Sequence, residues 1–267
     1  MSDEIHFPIG FGLKDLVAWG NTGMILLDKS TTPNTVIKTP HDSDSSSSIT
    51  REQQIYERCH QRGGHKGILR YYGTFESAIR LEYAPRSNLR SYLSKHAVDT
   101  SVKVRWAVQI AEALEFAHQS GVIHGDINGY NVFLNESLDA KLGDYAGSSL
   151  DGSPLLISVT PSHGCPRSTL SVEGDLFALG SVLYELMSGS PPYAGLSDEE
   201  IFACYAKGEF PDTKSLGLLG SIITRCWQGQ YKECGQVICD LKAAQRKIHT
   251  WSANSIFPPW AELSEPR

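Results

Sequence analysis

Three short runs of apolar and β-branched residues, 16–19, 24–27 and 35–38, stand between Gly, Asn and Pro breaks. Short β-type runs bounded by turn residues read as strands, and their close spacing predicts a three-stranded antiparallel meander. Residues 41–48 are polar and serine-rich and read as a flexible loop. A helix fits 49–59, where Ile55 and Cys59 lie one turn apart and Thr50 with Gln53 offers a capping box. Two further alternating runs, 68–75 and 78–83, complete a five-stranded sheet.

Beyond about residue 84 the period becomes helical. Trp106, Ile110, Leu114 and Ala117 recur at helical spacing in a run that ends near Gly121. Short strands at 132–134 and 141–143 predict a hairpin, and 173–187 is apolar on nearly every face, the signature of a buried helix. Segments around 189–193, 201–205, 222–227 and 237–241 fit the helices that finish such a region. Strands first and helices afterwards make an α+β chain, not an alternating one. The Pro-rich stretch from Phe257 reads as a loosely docked tail.

With 267 residues and a formal charge of −6, the chain can form one large or two small cores, and no Lys/Arg run offers a grip on nucleic acid or an anionic membrane. No apolar run is long enough to span a bilayer, and the start lacks a secretory pattern, so a cytoplasmic or nuclear protein is expected. Cys59, Cys165, Cys204, Cys226, Cys234 and Cys239 show no metal-site spacing and read as free thiols, mostly core residues. Nothing sets an oligomeric state.

The chemistry concentrates in 122–134, where His124, Asp126 and Asn131 lie in a Gly-containing loop that runs into an apolar strand. An acid and an amide five residues apart suit phosphoryl transfer: the acid beside the attacking hydroxyl, the amide one loop turn away on a metal. Asp144, Tyr145, Ala146 and Gly147 follow the predicted hairpin directly. Upstream, Ala18, Gly20 and Gly23 frame the first turn, Lys38 ends the third strand, and Glu52 lies on the following helix.

In this order these motifs resemble the eukaryotic-type protein kinases over roughly residues 14–245. The resemblance implies a bilobal fold: an N-lobe over 1–84 with a five-stranded antiparallel sheet and one helix, a mainly helical C-lobe over 85–250, and a tail over 251–267. It implies ATP and Mg2+ as cofactors and a protein substrate bearing a Ser or Thr hydroxyl. Asp126 would be the base, Asn131 and Asp144 the magnesium ligands, and Lys38, held by Glu52 or alternatively Glu57, the phosphate grip. Gly20 and Gly23 would shape a phosphate lid. Ile25, Val36 and Phe133 would sandwich adenine beside a hinge formed by Leu81, Glu82 and Ala84, with Leu81 as gatekeeper. Asp175, opening the apolar helix, would accept backbone hydrogen bonds from the catalytic loop.

Several positions depart from the family pattern. Ala18 replaces a lid glycine and Ala146 the glycine after Tyr145, narrowing the backbone choices there. Gly125 stands where an Arg usually receives an activation-segment phosphate, so no switching through that contact is expected at Ser148, Ser149 or Ser153. Asn128 replaces a Lys that steadies the transferred phosphate, and brings a donor without charge. Arg167 replaces a Glu, which suggests a reversed bridge from Arg167 to Glu233. Two alternatives stay open: a pseudokinase scaffold that still holds ATP, and a small-molecule phosphotransferase, whose loops also read His-Gly-Asp.

Overall fold

The computed structural model describes residues 6–42 and 45–254. Five strands, β1 (Leu16–Trp19), β2 (Met24–Asp28), β3 (Thr35–Thr39), β4 (Tyr71–Phe75) and β5 (Ala78–Glu82), form one antiparallel sheet in the order β1-β2-β3-β5-β4. Helix α1 (Ser46–Gln61) crosses from β3 to β4. All five β3 residues are buried. On one face Val36 joins the core shared with Ile49, Ile55 and Tyr56 of α1, while on the other Ile37 packs with Leu26 and Ala78 under Phe7 and Phe11. β-Branched residues suit such a strand, whose neighbours pack both faces of the pleat.

The helical part comprises α2 (Leu89–Leu93), α3 (Thr100–Gln119), the short strands β6 (Val122–Ile123), β7 (Val132–Leu134), β8 (Ala140–Leu142) and β9 (Ser149–Leu150), then α4 (Val172–Ser188), α5 (Asp198–Ala206), α6 (Gly220–Trp227) and α7 (Cys234–Asn254). Helix α4 is buried along almost its whole length, and Trp106 of α3 and Trp227 of α6 are fully enclosed in the same core. Truncating either indole to Ala removes the largest kind of core side chain and costs about 3–5 kcal/mol. β6 pairs with β9 and β7 with β8, two small ribbons that carry the loop 124–131 between them.

Four expectations are corrected. Helix α1 begins at Ser46, so Thr50 lies inside it and donates its hydroxyl to Ser46 O at 2.9 Å, and the expected capping box is absent. Its approach is set instead by Asp42, whose carboxylate accepts the Ser45 N–H and hydroxyl at 2.8 and 2.9 Å. Strand β4 starts at Tyr71, not Ile68, because Gly67 O and Leu69 N–H bond to Leu142 of β8 at 2.7 and 3.0 Å. Residues 189–193 are not helical: Gly189, at φ +86°, ends α4 in the left-handed conformation and returns its N–H to Glu185 O.

The six thiols are free, four of them buried, with Cys204 half-buried and Cys239 exposed. Among the described residues no helix is long and apolar enough to cross a membrane. Helix α7 extends to Asn254, and the rest of the stretch expected as a tail lies outside the described residues.

Candidate active site

Between sheet and helices, Lys38 Nζ lies 2.7 Å from Glu52 Oε2 and 2.6 Å from Asp144 Oδ1. Strand β3 delivers the ammonium, α1 the first carboxylate, and the loop after β8 the second. Glu52 is fully buried, and its other oxygen accepts the Tyr145 N–H at 3.1 Å. Burial alone would depress the Lys38 pKa, but Asp144 and Glu52 outweigh it and hold the ammonium above its usual range. Burial pushes the Glu52 carboxyl up, against the pull of Lys38. Burial also acts to raise Asp144, but there Lys38 prevails and keeps the carboxyl below its ordinary value. Asp144 keeps 40% of its side chain exposed, so this carboxylate remains open to the cleft. Its φ of +62° is uncommon for a non-glycine and marks local strain. The expected alternative, Glu57, takes no part: it accepts from Gln53 and from the Tyr71 hydroxyl.

The loop 124–131 forms a second constellation. Asp126 Oδ1 accepts the Thr160 hydroxyl at 2.8 Å and the Thr160 N–H at 3.3 Å, while Oδ2 accepts Asn131 Nδ2 at 3.0 Å. Asn131 Nδ2 also bonds Asp126 O at 2.8 Å. Asn128 accepts the Tyr130 N–H and points its Nδ2 at Asp126 O and Thr160 Oγ1, 3.3 and 3.4 Å away. No Lys or Arg forms an ion pair with Asp126 among the described residues.

Beneath the loop, the buried Asp175 carboxylate accepts the N–H groups of His124 and Gly125, each at 2.8 Å, and binds His118 Nε2 at 2.8 Å. His124 packs on Tyr145, and Tyr145 meets the Tyr56 ring of α1 edge-on, so an aromatic row ties the helix to both loops. The Gly143 carbonyl lies 3.2 Å from His124 Nε2, which places the proton on that nitrogen.

The departures have physical reasons. Gly125 has φ +76°, and a Cβ there would stand 2.5 Å from Leu155 Cδ2. Leu155 therefore occupies the space that an Arg side chain would enter. Ala146 has no positive φ and is fully buried, so Ala is accommodated in this conformation. A Cβ on Gly147 would lie 2.2 Å from Ile157 Cγ2, which makes glycine mandatory one residue later. Arg167 binds Glu173 at 2.5 Å and Trp227 O at 3.1 Å, not Glu233. Glu173, in the first turn of α4 and six residues away in sequence, captures the guanidinium before it reaches the later segment.

The lid turn closes through Gly20 N–H to Gly23 O at 2.9 Å, and a Cβ on Gly23 would come within 2.3 Å of Thr39 O. Val36 and Leu81 are buried neighbours on β3 and β5, and Ile25 and Phe133 are half-buried against the same core. At the hinge, Glu82 donates its N–H to Arg70 O and binds Lys141 through its carboxylate, while Ala84 O accepts the Ser87 N–H. A groove of about 530 Å³ opens behind the hinge between Tyr56, His60, Lys66, Arg70 and Lys141 and holds none of Lys38, Asp126 or Asp144.

Sequence reasoning missed the attachment of α1 to the segment after Gly147. Arg51 Nη1 donates to Ser148 O, Ser153 Oγ and Pro154 O, and Arg58 forms a two-point pair with Asp151. The residue preceding Glu52 on the helix carried no signal beyond its charge.

A strand-and-helix lobe, a helical lobe, the Lys38–Glu52–Asp144 ion cluster and a loop acid hydrogen-bonded to Asn131 define a protein-kinase fold. The family model for protein tyrosine and serine/threonine kinases matches residues 16–236, and the chain belongs to that family. It is 27% identical over 197 residues to the serine/threonine-protein kinase PLK2 of Mus musculus, covering 69% of this chain and 28% of that protein. It is 29% identical over 178 residues to the serine/threonine-protein kinase PDK1 of Cryptococcus neoformans, covering 57% and 14%. It is also 26% identical over 164 residues to the inactive serine/threonine-protein kinase PLK5 of Mus musculus, covering 57% and 28%. The chain thus spans under a third of the length of these relatives.

Proposed function

We propose that the chain is an ATP-dependent protein kinase that phosphorylates a Ser or Thr hydroxyl, with residues 1–84 and 85–250 as its two lobes. The observation that carries this reading is the Lys38 ammonium bridging Glu52 and Asp144, in a chain whose loop acid Asp126 is hydrogen-bonded to Asn131. Lys38, held by Glu52, orients the phosphates under the lid of Gly20 and Gly23. Asp126 receives the proton as the substrate hydroxyl attacks the γ-phosphorus and the bond to the departing ADP oxygen breaks. Thr160, bonded to that carboxylate, favours Ser/Thr acceptors over Tyr. Adenine lies between Ile25, Val36 and Phe133 beside Leu81 and pairs with backbone at Ala84 and Glu82. At Glu82 the carbonyl serves, because its N–H is already donated to Arg70 O.

The residues fit Mg2+. Asp144 is an ionised carboxylate open to the cleft, and Asn131 commits its nitrogen to Asp126, leaving the amide oxygen as a second hard donor. Magnesium takes one or two such protein ligands beside phosphate oxygens. When bound, it neutralises charge on the phosphates. The chain's own part is positioning and electrostatics more than covalent chemistry.

ADP release from Mg·ATP with a mixed peptide substrate tests this, comparing the wild type with Asp126→Asn. Release that vanishes in the variant supports transfer from this loop. Absence of release from the wild type favours the second reading, a nucleotide-holding scaffold, for which the uncharged Asn128 beside Asp126 is the specific support.

A further inference from the structure

One contact at the lid has no part in the transfer just described. The Trp19 indole stacks on the His41 imidazole with ring centroids 4.3 Å apart and 22° between the planes. His41 Nε2 lies 2.6 Å from Gly20 O. A carbonyl can only accept, so Nε2 donates its N–H to Gly20 O. Nδ1 is buried and meets no donor among the described residues, so the stack and the Nε2 bond are what hold the ring.

The position of His41 gives this contact its meaning. His41 follows β3, which carries Lys38, and precedes Asp42, whose carboxylate fixes Ser45 at the approach to α1, which carries Glu52. The lid tip is therefore tied to the connector between the two residues of the buried ion pair. The other root of the lid is held as well, since Gly23 lies directly against Thr39 O. Trp19 is 52% exposed, so the indole is not in place merely to fill a core.

We propose that Trp19 and His41 form a clasp that fixes the phosphate lid in one position before nucleotide arrives, His41 acting as a positioning residue for the nucleotide. The proposal rests on the nucleotide-binding reading above. A lid that is already ordered loses less conformational freedom when phosphates dock against it, so the clasp strengthens binding without touching the reacting atoms. It also fits a lid in which Ala18 stands at the first glycine position and the bulky Trp19 at the next.

The test measures the Kd for Mg·ATP by calorimetry, and KM and kcat by ADP release, in the wild type, Trp19→Ala, His41→Ala and the double variant. His41→Ala, which loses both the ring stack and the bond to Gly20 O, should weaken Kd and raise the ATP KM about five-fold with kcat little altered, and Trp19→Ala, which loses the stack alone, should act in the same direction by no more than that. The double variant should be no weaker than His41→Ala, and Trp19→Phe, which keeps a stacking ring, should restore most of the affinity lost in Trp19→Ala. Additive losses, an unchanged or tighter Kd, or a fall confined to kcat overturns the clasp. Absence of Mg·ATP binding by the wild type removes the nucleotide reading and the clasp with it, whereas Mg·ATP binding that is the same in the wild type and all four variants removes the clasp alone.

Discussion

Restoring the family's Arg at position 125 should damage this protein, and the size of the damage follows from two separable costs. Gly125 has φ +76°, and an L residue held in the left-handed region loses about 1 kcal/mol relative to glycine. The new Cβ would also stand 2.5 Å from Leu155 Cδ2 and 3.0 Å from Cδ1. Moving a half-buried leucine out of the way costs about 1–2 kcal/mol more. Gly125→Ala should therefore cost about 2–3 kcal/mol, and Gly125→Arg at least as much, a fall in Tm of roughly 4–12 °C for a chain of this size. Thermal unfolding followed by circular dichroism at fixed protein concentration reads this directly. The Leu155→Ala background separates the terms: there the clash is gone while the dihedral remains, so Gly125→Ala should cost only about 1 kcal/mol. A Gly125→Arg protein as stable as the wild type, or the same loss for Gly125→Ala in both backgrounds, would refute the argument.

Three other outcomes can be measured in the same way. His163 is fully buried and held to about 3 by that burial and then by Arg90, with Ser162 on Nδ1 and the Glu185 carboxylate 3.8 Å from Nε2. A base whose folded pKa lies below its unfolded value stabilises fully above the unfolded value and less as pH falls, so stability should decline between about pH 6.5 and pH 3, by about 2 kcal/mol at pH 5. His163→Gln should flatten that part of the pH profile, and a profile of unchanged slope would remove the assignment. The Tyr145 hydroxyl is buried without a hydrogen-bond partner among the described residues, so Tyr145→Phe should be neutral or stabilise by about 1 kcal/mol, and a loss of stability would refute that. Lys38→Met leaves the fully buried Glu52 unpaired and should cost about 3–5 kcal/mol, most of which Lys38→Met with Glu52→Gln should recover; equal stability of the single and double variants would show that Glu52 is not charged through Lys38.

Much of the fold was legible because local patterning and tertiary packing agree. The first strand, 16–19, was given by a short apolar run before a Gly-Asn turn, and the buried α4 by a run apolar on nearly every face. The ion pair of Lys38 with Glu52 and the grip of Asp175 on the backbone of the 124–131 loop were accessible only through family order, since each is a common residue with an ordinary solvated alternative. Where sequence failed, a distant contact decided. Ile68 has strand character but is drawn to Leu142, an interaction across more than seventy positions that no local window contains. Arg167 was matched to Glu233 by analogy, yet the nearer Glu173 satisfies it at less entropic cost. Likewise Trp19, at the end of β1, and His41, just beyond β3, are twenty-two positions apart, and nothing in either segment indicates the other.

Gly125, Leu155 and Arg51 belong to one arrangement, and their chemistry shows how the segment after Gly147 is held. An Arg in the 124–131 loop would bring a charge that needs an anion from that segment. Here Leu155 fills the space and the cation comes from the other side, from Arg51 on α1. Its guanidinium makes three bonds to neutral oxygens and no ion pair among the described residues, and Arg58, two turns further along the helix, adds its pair with Asp151. Arg58 and Asp151 are too exposed for that pair to count for much alone, but Arg51 is half-buried and donates from a charged group, the stronger class of hydrogen bond. These tethers lie on the helix that supplies Glu52. The same contacts that order the segment therefore keep Glu52 against Lys38, and they do so with the Ser148, Ser149 and Ser153 hydroxyls unmodified.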